Sequence, residues 1–203
     1  MIEAILFDFG DVFINLDKEA ITRELKKLGL KEWNKELQDL NADYEVGKMD
    51  EFDFMTEIKK HIPNSELEDI RTAWNSILLD FPLKRLEFLQ LLSTQYRLFL
   101  LSNTDQTHID KFEHLVGQSF ARDFYSCFEK VYFSYDIKLR KPDAKAFKLI
   151  INNHNLTPKK TLFVDDNLSN IESANDLGFQ TWHLNPDKED VTQLLDILKK
   201  VHA

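Results

Sequence analysis

The chain has 203 residues, a formal charge of −9 from 26 basic and 35 acidic residues, and an apolar fraction of 43% that includes 16 Phe. That length and apolar content suit one domain with a proper core, or one domain carrying an insertion, and exclude wholesale disorder. A lone Cys127, an acidic balance and the lack of any apolar run approaching about 18 residues argue against a disulfide framework, a general nucleic-acid binder and a membrane span.

The N-terminus has no basic stretch leading into a long apolar run, so no secretory leader is expected and the reading is a cytoplasmic protein. Residues 2–7 (IEAILF) form the first short apolar run and read as a buried strand. Residues 17–82 then break the pattern. They contain no convincing strand, and apolar residues recur at helical spacing over 21–28, 33–40, 52–62 and 67–79. Roughly 65 helical residues between two strands exceed what a βα crossover needs. The prediction is an inserted helical subdomain whose dense charge is solvated helix face. A helix over 83–93 leads to a strand at 97–101 (RLFLL), a helix at 105–116 and a strand at 130–133 (KVYF). A helix at 144–154, a strand at 161–164 (TLFV), a helix at 168–177, a strand at 180–183 (QTWH) and a helix at 191–201 complete the chain. Strand–helix alternation, with three strands apolar throughout, predicts an α/β fold with a mostly parallel sheet.

In open parallel sheets, ligands bind at the carboxyl ends of the strands. Asp8, Gly10 and Asp11 follow the first strand, Ser102, Asn103 and Thr104 the second, and Asp165, Asp166 and Asn167 the fourth. Lys141 precedes the helix after the third strand. Such a sheet gathers these residues in one crevice. Two unit charges at ~4 Å repel by about 1 kcal/mol in water and roughly four times that at an effective dielectric near 20. Some of the carboxylates must therefore be protonated or neutralised by cations. Lys141 supplies one positive charge and a hard divalent ion is the natural remainder. All-oxygen ligands, with no paired His or Cys, favour Mg²⁺ over Zn²⁺, and the Ser102 and Asn103 donors suit an anionic phosphate.

The same residues carry a family resemblance. ILFDFGDV at 5–12, LLSNT at 100–104, RKPD at 140–143 and LFVDDN at 162–167 resemble, in order, the four motifs of the haloacid dehalogenase-like hydrolase superfamily, mostly Mg²⁺-dependent phosphatases. The resemblance implies a Rossmann-like parallel sheet core built from 1–16 and 83–203, with an inserted α-helical cap over 17–82. It implies that Asp8 is the nucleophile, forming an aspartyl-phosphate that water hydrolyses. Asp166 matches the main metal ligand, Asp165 an additional ligand or a group behind it, and Gly10 a ligand through its carbonyl. Ser102, with the Asn103 backbone, matches the phosphoryl-oxygen binder, and Lys141 the cation between nucleophile and phosphate. Pro142 biases Lys141 to an extended backbone, and Asp143 is placed to cap the next helix.

One departure stands out. Most superfamily phosphatases carry a second Asp two residues after the nucleophile, which protonates the leaving oxygen and later activates water. Here that place holds Gly10, as in a helical-cap phosphatase subgroup that resembles sugar-phosphate phosphatases. A positioned acid–base is worth about 10²–10⁴-fold, so substrates with good leaving groups, such as sugar-1-phosphates, depend on it least. Asp11 is the candidate substitute, although a residue one place along the chain normally points elsewhere.

Other residues have plainer readings. Asn167 reads as a helix cap, Gly178 as a left-handed helix stop, and Cys127 as a buried inert thiol. His108 reads as a satisfied side chain, and His183 is ambiguous. Within the insertion Phe52, Phe54 and Trp74 read as subdomain core, with Asn75 and Lys48 as candidate substrate contacts. The leading function is a Mg²⁺-dependent phosphomonoesterase acting on a small phosphorylated metabolite, with sugar phosphates as candidates. Neither a nucleic-acid nor a membrane partner is expected, and the chain should be a monomer or a weak homodimer. Two alternatives are a metal-free haloacid dehalogenase, against which the Asp165–Asp166 pair argues, and a catalytically weak phosphate-binding or regulatory protein, which Gly10 favours.

Overall fold

The computed structural model describes residues 1–201. Five strands form one parallel sheet: β1 (Ala4–Phe7), β2 (Arg97–Ser102), β3 (Lys130–Phe133), β4 (Thr161–Asp165) and β5 (Gln180–His183), in the spatial order β3-β2-β1-β4-β5. The period-two alternation of each central strand serves two cores at once. Ile5 and Phe7, Leu98 and Leu100, and Leu162 and Val164 face one side. Ala4 and Leu6, Phe99 and Leu101, and Phe163 face the other. A strand covered on both faces must be apolar at every position, which is why β1, β2 and β4 read as unbroken apolar runs.

Four of the five helices between β1 and β2 fall within residues 17–82: α1 (Ala20–Lys27), α2 (Lys35–Glu45), α3 (Glu51–His61) and α4 (Leu67–Asn75). They share a third buried cluster that includes Leu25, Leu37, Tyr44, Phe54, Ile58 and Trp74. Their starts are set by local chemistry. Asn34 and Asp50 accept the amides of Leu37 and Asp53, and Glu66 with Asp69 forms a reciprocal capping box. The chain leaves the sheet and returns through paired segments. Asn15 N donates to Asp80 O at 2.9 Å, Leu79 N to Asn15 O at 3.0 Å, and Asp17 N to Ile77 O at 2.9 Å.

The remaining helices are α5 (Leu83–Ser93), α6 (Gln106–Val116), α7 (Gln118–Ser126), α8 (Ser134–Ile137), α9 (Ala144–His154), α10 (Leu168–Asp176) and α11 (Leu194–Val201). α5, α6, α7 and α11 cover the Ile5 and Phe7 face, where Phe9, Phe13, Phe112, Phe124 and Phe128 interlock edge to face. α9 and α10 cover the other face.

Three expectations change. The stretch predicted as one helix over 191–201 opens as a 3₁₀ turn at Val191–Gln193, capped by the Asp190 carboxylate on Thr192 N, before α11 begins. α7 and α8 lie where no helix is expected. α7 follows α6 across the single residue Gly117, whose φ of 82° breaks the helical phase, and it buries only Ala121 and Phe124. Phe52 is 66% exposed rather than core, because it sits across α3 from the inward-facing Phe54.

Candidate active site

The tips of β1, β2 and β4 converge where the strand order switches direction around β1. A cavity of about 330 Å³ opens there. Asp8, Gly10, Ser102, Asn103, Lys141 and Asp166 form its floor, and Asn41, Glu45 and Trp74 reach it from α2 and α4. Asp8 is held in place by its own amide, which donates to Val164 O at 2.9 Å and so ties the end of β1 to β4.

Lys141 is the hub of the floor. Its ammonium is 1% exposed and donates to Asp8 Oδ1 at 2.6 Å and to Asp165 Oδ2 at 2.7 Å. Its backbone is held on both sides by the Asn103 amide, which accepts from Lys141 N at 2.9 Å and donates to Lys141 O at 2.8 Å. Asp165 is fully buried and has both oxygens engaged. It accepts from Lys141, from Asn167 N at 2.7 Å, and from Asn170 Nδ2 at 3.0 and 3.2 Å. Asp166 turns to the cavity and accepts from Lys18 Nζ at 2.6 Å. Oxygen atoms of Asp8, Asp165 and Asp166 all lie within 4.8 Å of one another. Ser102 is 3% exposed and lines the same floor.

Crowding shows in the ionisation of these groups. Burial pushes the Asp8 carboxyl up from 3.8 to about 7; Lys141 opposes the shift, and the charges of Asp165 and Asp166 add to it. Burial alone would lower the Lys141 ammonium, but Asp165 and Asp8 outweigh it and hold it above its ordinary value. Glu45 is likewise raised by burial, against the pull of Arg140.

A Cβ at Gly10 would lie 2.7 Å from Leu16 Cδ1, the tip of a half-buried side chain that can turn aside. Gly10→Asp is therefore expected to shift stability by about 1 kcal/mol or less in a urea titration, and a loss of several kcal/mol contradicts this. Asp11 adopts a left-handed backbone with φ 54°. Its carboxylate is spent on Leu16 N at 3.0 Å and on Lys18 Nζ at 2.8 Å, and it is not among the residues lining the cavity.

Helices α2 and α4 meet the floor through different residues from those expected. Asn75 lines a separate depression with Arg71, Thr72 and His114, because Trp74 occupies the cavity-facing phase of α4. Lys48 is exposed and paired with Asp43 at 2.6 Å. His108 is satisfied, as expected: Nδ1 lies 3.0 Å from Asp105 Oδ2, Nε2 donates to Trp74 O at 3.0 Å, and its ring stacks on Trp74. His183 Nε2 donates to Asp166 O at 2.9 Å. Asn167 and Asp143 cap α10 and α9, and Gly178 has a φ of 86° just after α10. Cys127 is buried. Lys18, Asn41 and Asn170 escaped the sequence reading, and Arg140 entered it only as part of the RKPD motif, with no role. Asn170 alone had a local signal, as the side chain facing back from the first turn of α10 onto Asp165.

Comparison with known proteins agrees with this geometry. A family model described as haloacid dehalogenase-like hydrolase matches residues 2–178. The chain is 28% identical over 188 residues to a D-ribitol-5-phosphate phosphatase of Bacteroides thetaiotaomicron, covering 90% of this chain and 91% of that one. The HAD family enzyme bt-2542 of the same organism, crystallised as the wild-type protein with magnesium and inorganic phosphate, superposes with a TM-score of 0.84 at 32% identity, covering 96% of this chain and 99% of that one. A predicted HAD-like family hydrolase of Porphyromonas gingivalis gives a TM-score of 0.83 at 28% identity, covering 100% and 99%.

Proposed function

The chain belongs to the haloacid dehalogenase-like hydrolases, and from that premise we propose that it is a Mg²⁺-dependent phosphatase of small sugar or polyol phosphates. The observation that carries this reading is the buried Lys141 ammonium shared by Asp8 and Asp165 at the floor of the cavity. The cavity volume, about 330 Å³, lies at the small end of ligand sites and supports a small metabolite as substrate.

The donor set suits the ion. Three carboxylates cluster without a nitrogen or sulfur ligand, and Asp8 is raised first by burial and then by the charges of Asp165 and Asp166, against the pull of Lys141. Asp8 and Asp166, with the Gly10 carbonyl, would hold Mg²⁺. Asp165 stays beside them, its oxygens committed to Lys141, Asn167 N and Asn170. When bound, the ion supplies charge neutralisation for the transferring phosphoryl group.

In this reading an Asp8 oxygen attacks phosphorus, the ester bond to the leaving alcohol breaks, and water then hydrolyses the aspartyl-phosphate. Lys141 steers the Asp8 carboxylate and balances charge on the phosphoryl oxygens. Ser102 holds those oxygens by its hydroxyl. Residues 17–82 serve as a cap that excludes water and shapes the leaving-group side of the cavity. Gly10 and the occupied Asp11 carboxylate leave the leaving oxygen without a dedicated acid in the loop after β1, so the departing alkoxide takes its proton from water, which slows primary-alcohol esters relative to sugar 1-phosphates.

The test is hydrolysis of ribitol 5-phosphate and a sugar 1-phosphate with Mg²⁺ and with excess chelator. Turnover that stops in chelator and returns with Mg²⁺ supports the proposal, and turnover that persists in chelator overturns it. The Asp8 shift adds a second readout. Below about pH 7 the metal-free protein holds a proton on Asp8 that Mg²⁺ must displace, so calorimetry is expected to find Mg²⁺ affinity about tenfold weaker near pH 6 than near pH 8. Equal affinity at both values contradicts a role for Asp8 as ligand.

A further inference from the structure

We propose that Asn41 and Glu45 select the leaving group by accepting hydrogen bonds from its hydroxyls, so that the preferred substrate is the phosphate ester of a polyhydroxylated, uncharged alcohol. This deepens the phosphatase reading above and rests on it.

The two residues stand one turn apart on α2 and therefore share a helix face, and both line the cavity that holds Asp8 and Lys141. Asn41 Oδ1 and Glu45 Oε2 are sealed from solvent and have no hydrogen-bond partner. Buried acceptors are nearly always paired, and leaving one unpaired is costly, so the Asn41 oxygen, with the Glu45 oxygen beside it held only by a charge contact, marks a place where a ligand donates. Their orientation follows from the local network. Asn41 Nδ2 donates to Glu45 Oε1 at 3.3 Å, which leaves the Asn41 oxygen free. Glu45 Oε2 lies 2.9 Å from Arg140 Nη2, a charge contact that is not aligned as a hydrogen bond.

The rest of that wall has little capacity to spare. His108 spends both ring nitrogens on Asp105 and Trp74 O, and Asp105 also accepts from the Trp74 indole at 3.1 Å. Arg140 already faces the Glu45 charge. What remains is an acceptor wall carrying a carboxylate, next to apolar surface from Ile21, Trp74 and Ile77. Hydroxyls satisfy such a wall by donating to it, and the carbon skeleton packs on the apolar part. An alkyl chain leaves the Asn41 oxygen unpaired and gives Glu45 nothing beyond Arg140. A carboxylate or a second phosphate on the leaving group offers no donor to this wall, and Arg140 and Lys18 are already paired with Glu45 and Asp166.

The test compares kcat/KM for ribitol 5-phosphate, n-pentyl phosphate and phosphoglycolate in Mg²⁺. The wild-type protein is expected to prefer ribitol 5-phosphate over n-pentyl phosphate by about 10²-fold or more, with phosphoglycolate also the poorer substrate. Asn41→Leu and Glu45→Gln are each expected to cut the first preference about tenfold. A general structural defect lowers both rates together and leaves their ratio unchanged. The wild-type comparison needs no variant, so it decides the matter even if a variant folds poorly. Equal rates on the polyol and alkyl esters, a preference for phosphoglycolate, or a ratio unmoved by Asn41→Leu overturns the proposal while leaving the phosphatase reading standing. Failure of the wild-type protein to hydrolyse any of the three removes that reading, and this inference with it.

Discussion

Asp8→Asn is expected to reduce turnover of any phosphate ester by at least about 10⁴-fold while leaving a folded protein. An amide is a poor nucleophile, and no other described carboxylate at the floor is free to replace it. Asp165 is fully committed to Lys141, Asn167 and Asn170, Asp166 is paired with Lys18 and is assigned to the metal, and Asp11 lies outside the cavity, held by Leu16 N and Lys18. The stability effect has the opposite direction from most substitutions in a buried site. The folded Asp8 carboxyl titrates near 7 against 3.8 as its ordinary value, so its protonated form stabilises the fold and that contribution is lost as pH rises through about 7. Near pH 8 and without metal, the wild-type protein keeps a disfavoured charge that Asn lacks. Urea denaturation in chelator is therefore expected to find the variant no less stable than the wild type. A variant that retains turnover within tenfold contradicts the nucleophile assignment.

Lys141→Met should damage both fold and activity. Lys141 is 1% exposed, and its removal leaves Asp8 and Asp165 facing each other in a buried site without their shared cation. Stripping one partner from a buried charge cluster costs about 3–5 kcal/mol, readable near pH 8 as a lower urea midpoint. The loss should shrink as pH falls, because a proton on Asp8 removes the repulsion. Turnover should fall by roughly 10²–10³-fold or more, the scale for deleting one donor to a developing charge. Lys141→Arg is not expected to rescue either property, since a planar guanidinium cannot take the position of a point charge between two carboxylates on a backbone clamped by Asn103. A Lys141→Met protein with wild-type stability in chelator contradicts the buried charge hub.

How far the sequence announced this molecule differs from one part to another, for physical reasons. The sheet was legible because β1, β2 and β4 are covered on both faces and so must be apolar at each position. Asp8, Ser102, Asp165 and Asp166 were legible because a parallel sheet brings the residues following its strands to one edge, whatever their separation along the chain. α7 was not, since Gly117 breaks the phase after α6 and only Ala121 and Phe124 of its nine residues are buried, too few to show a period. The α2 and α4 contributions were hidden for another reason. Which side of a helix meets the sheet depends on how the helices pack among themselves, and here Trp74 stacking on His108 turns Asn75 away, while Tyr44 docking on Thr107 at 2.5 Å holds the α2 end that carries Glu45 and Asn41. Lys18 carries no motif at all; its bridge between Asp11 and Asp166 exists only because the paired segments around Asn15 and Asp80 set its position.

The central claim is that the Asp8 oxygen itself takes the phosphoryl group. The most direct measurement is acid quench of the wild-type protein during turnover of ribitol 5-phosphate with Mg²⁺, followed by mass spectrometry of its peptides. The expected result is one added phosphoryl group on the peptide containing Asp8, absent in chelator and absent from Asp8→Asn. Steady turnover with an unmodified Asp8 peptide at every quench time, or the phosphoryl group found on another residue, would contradict the account.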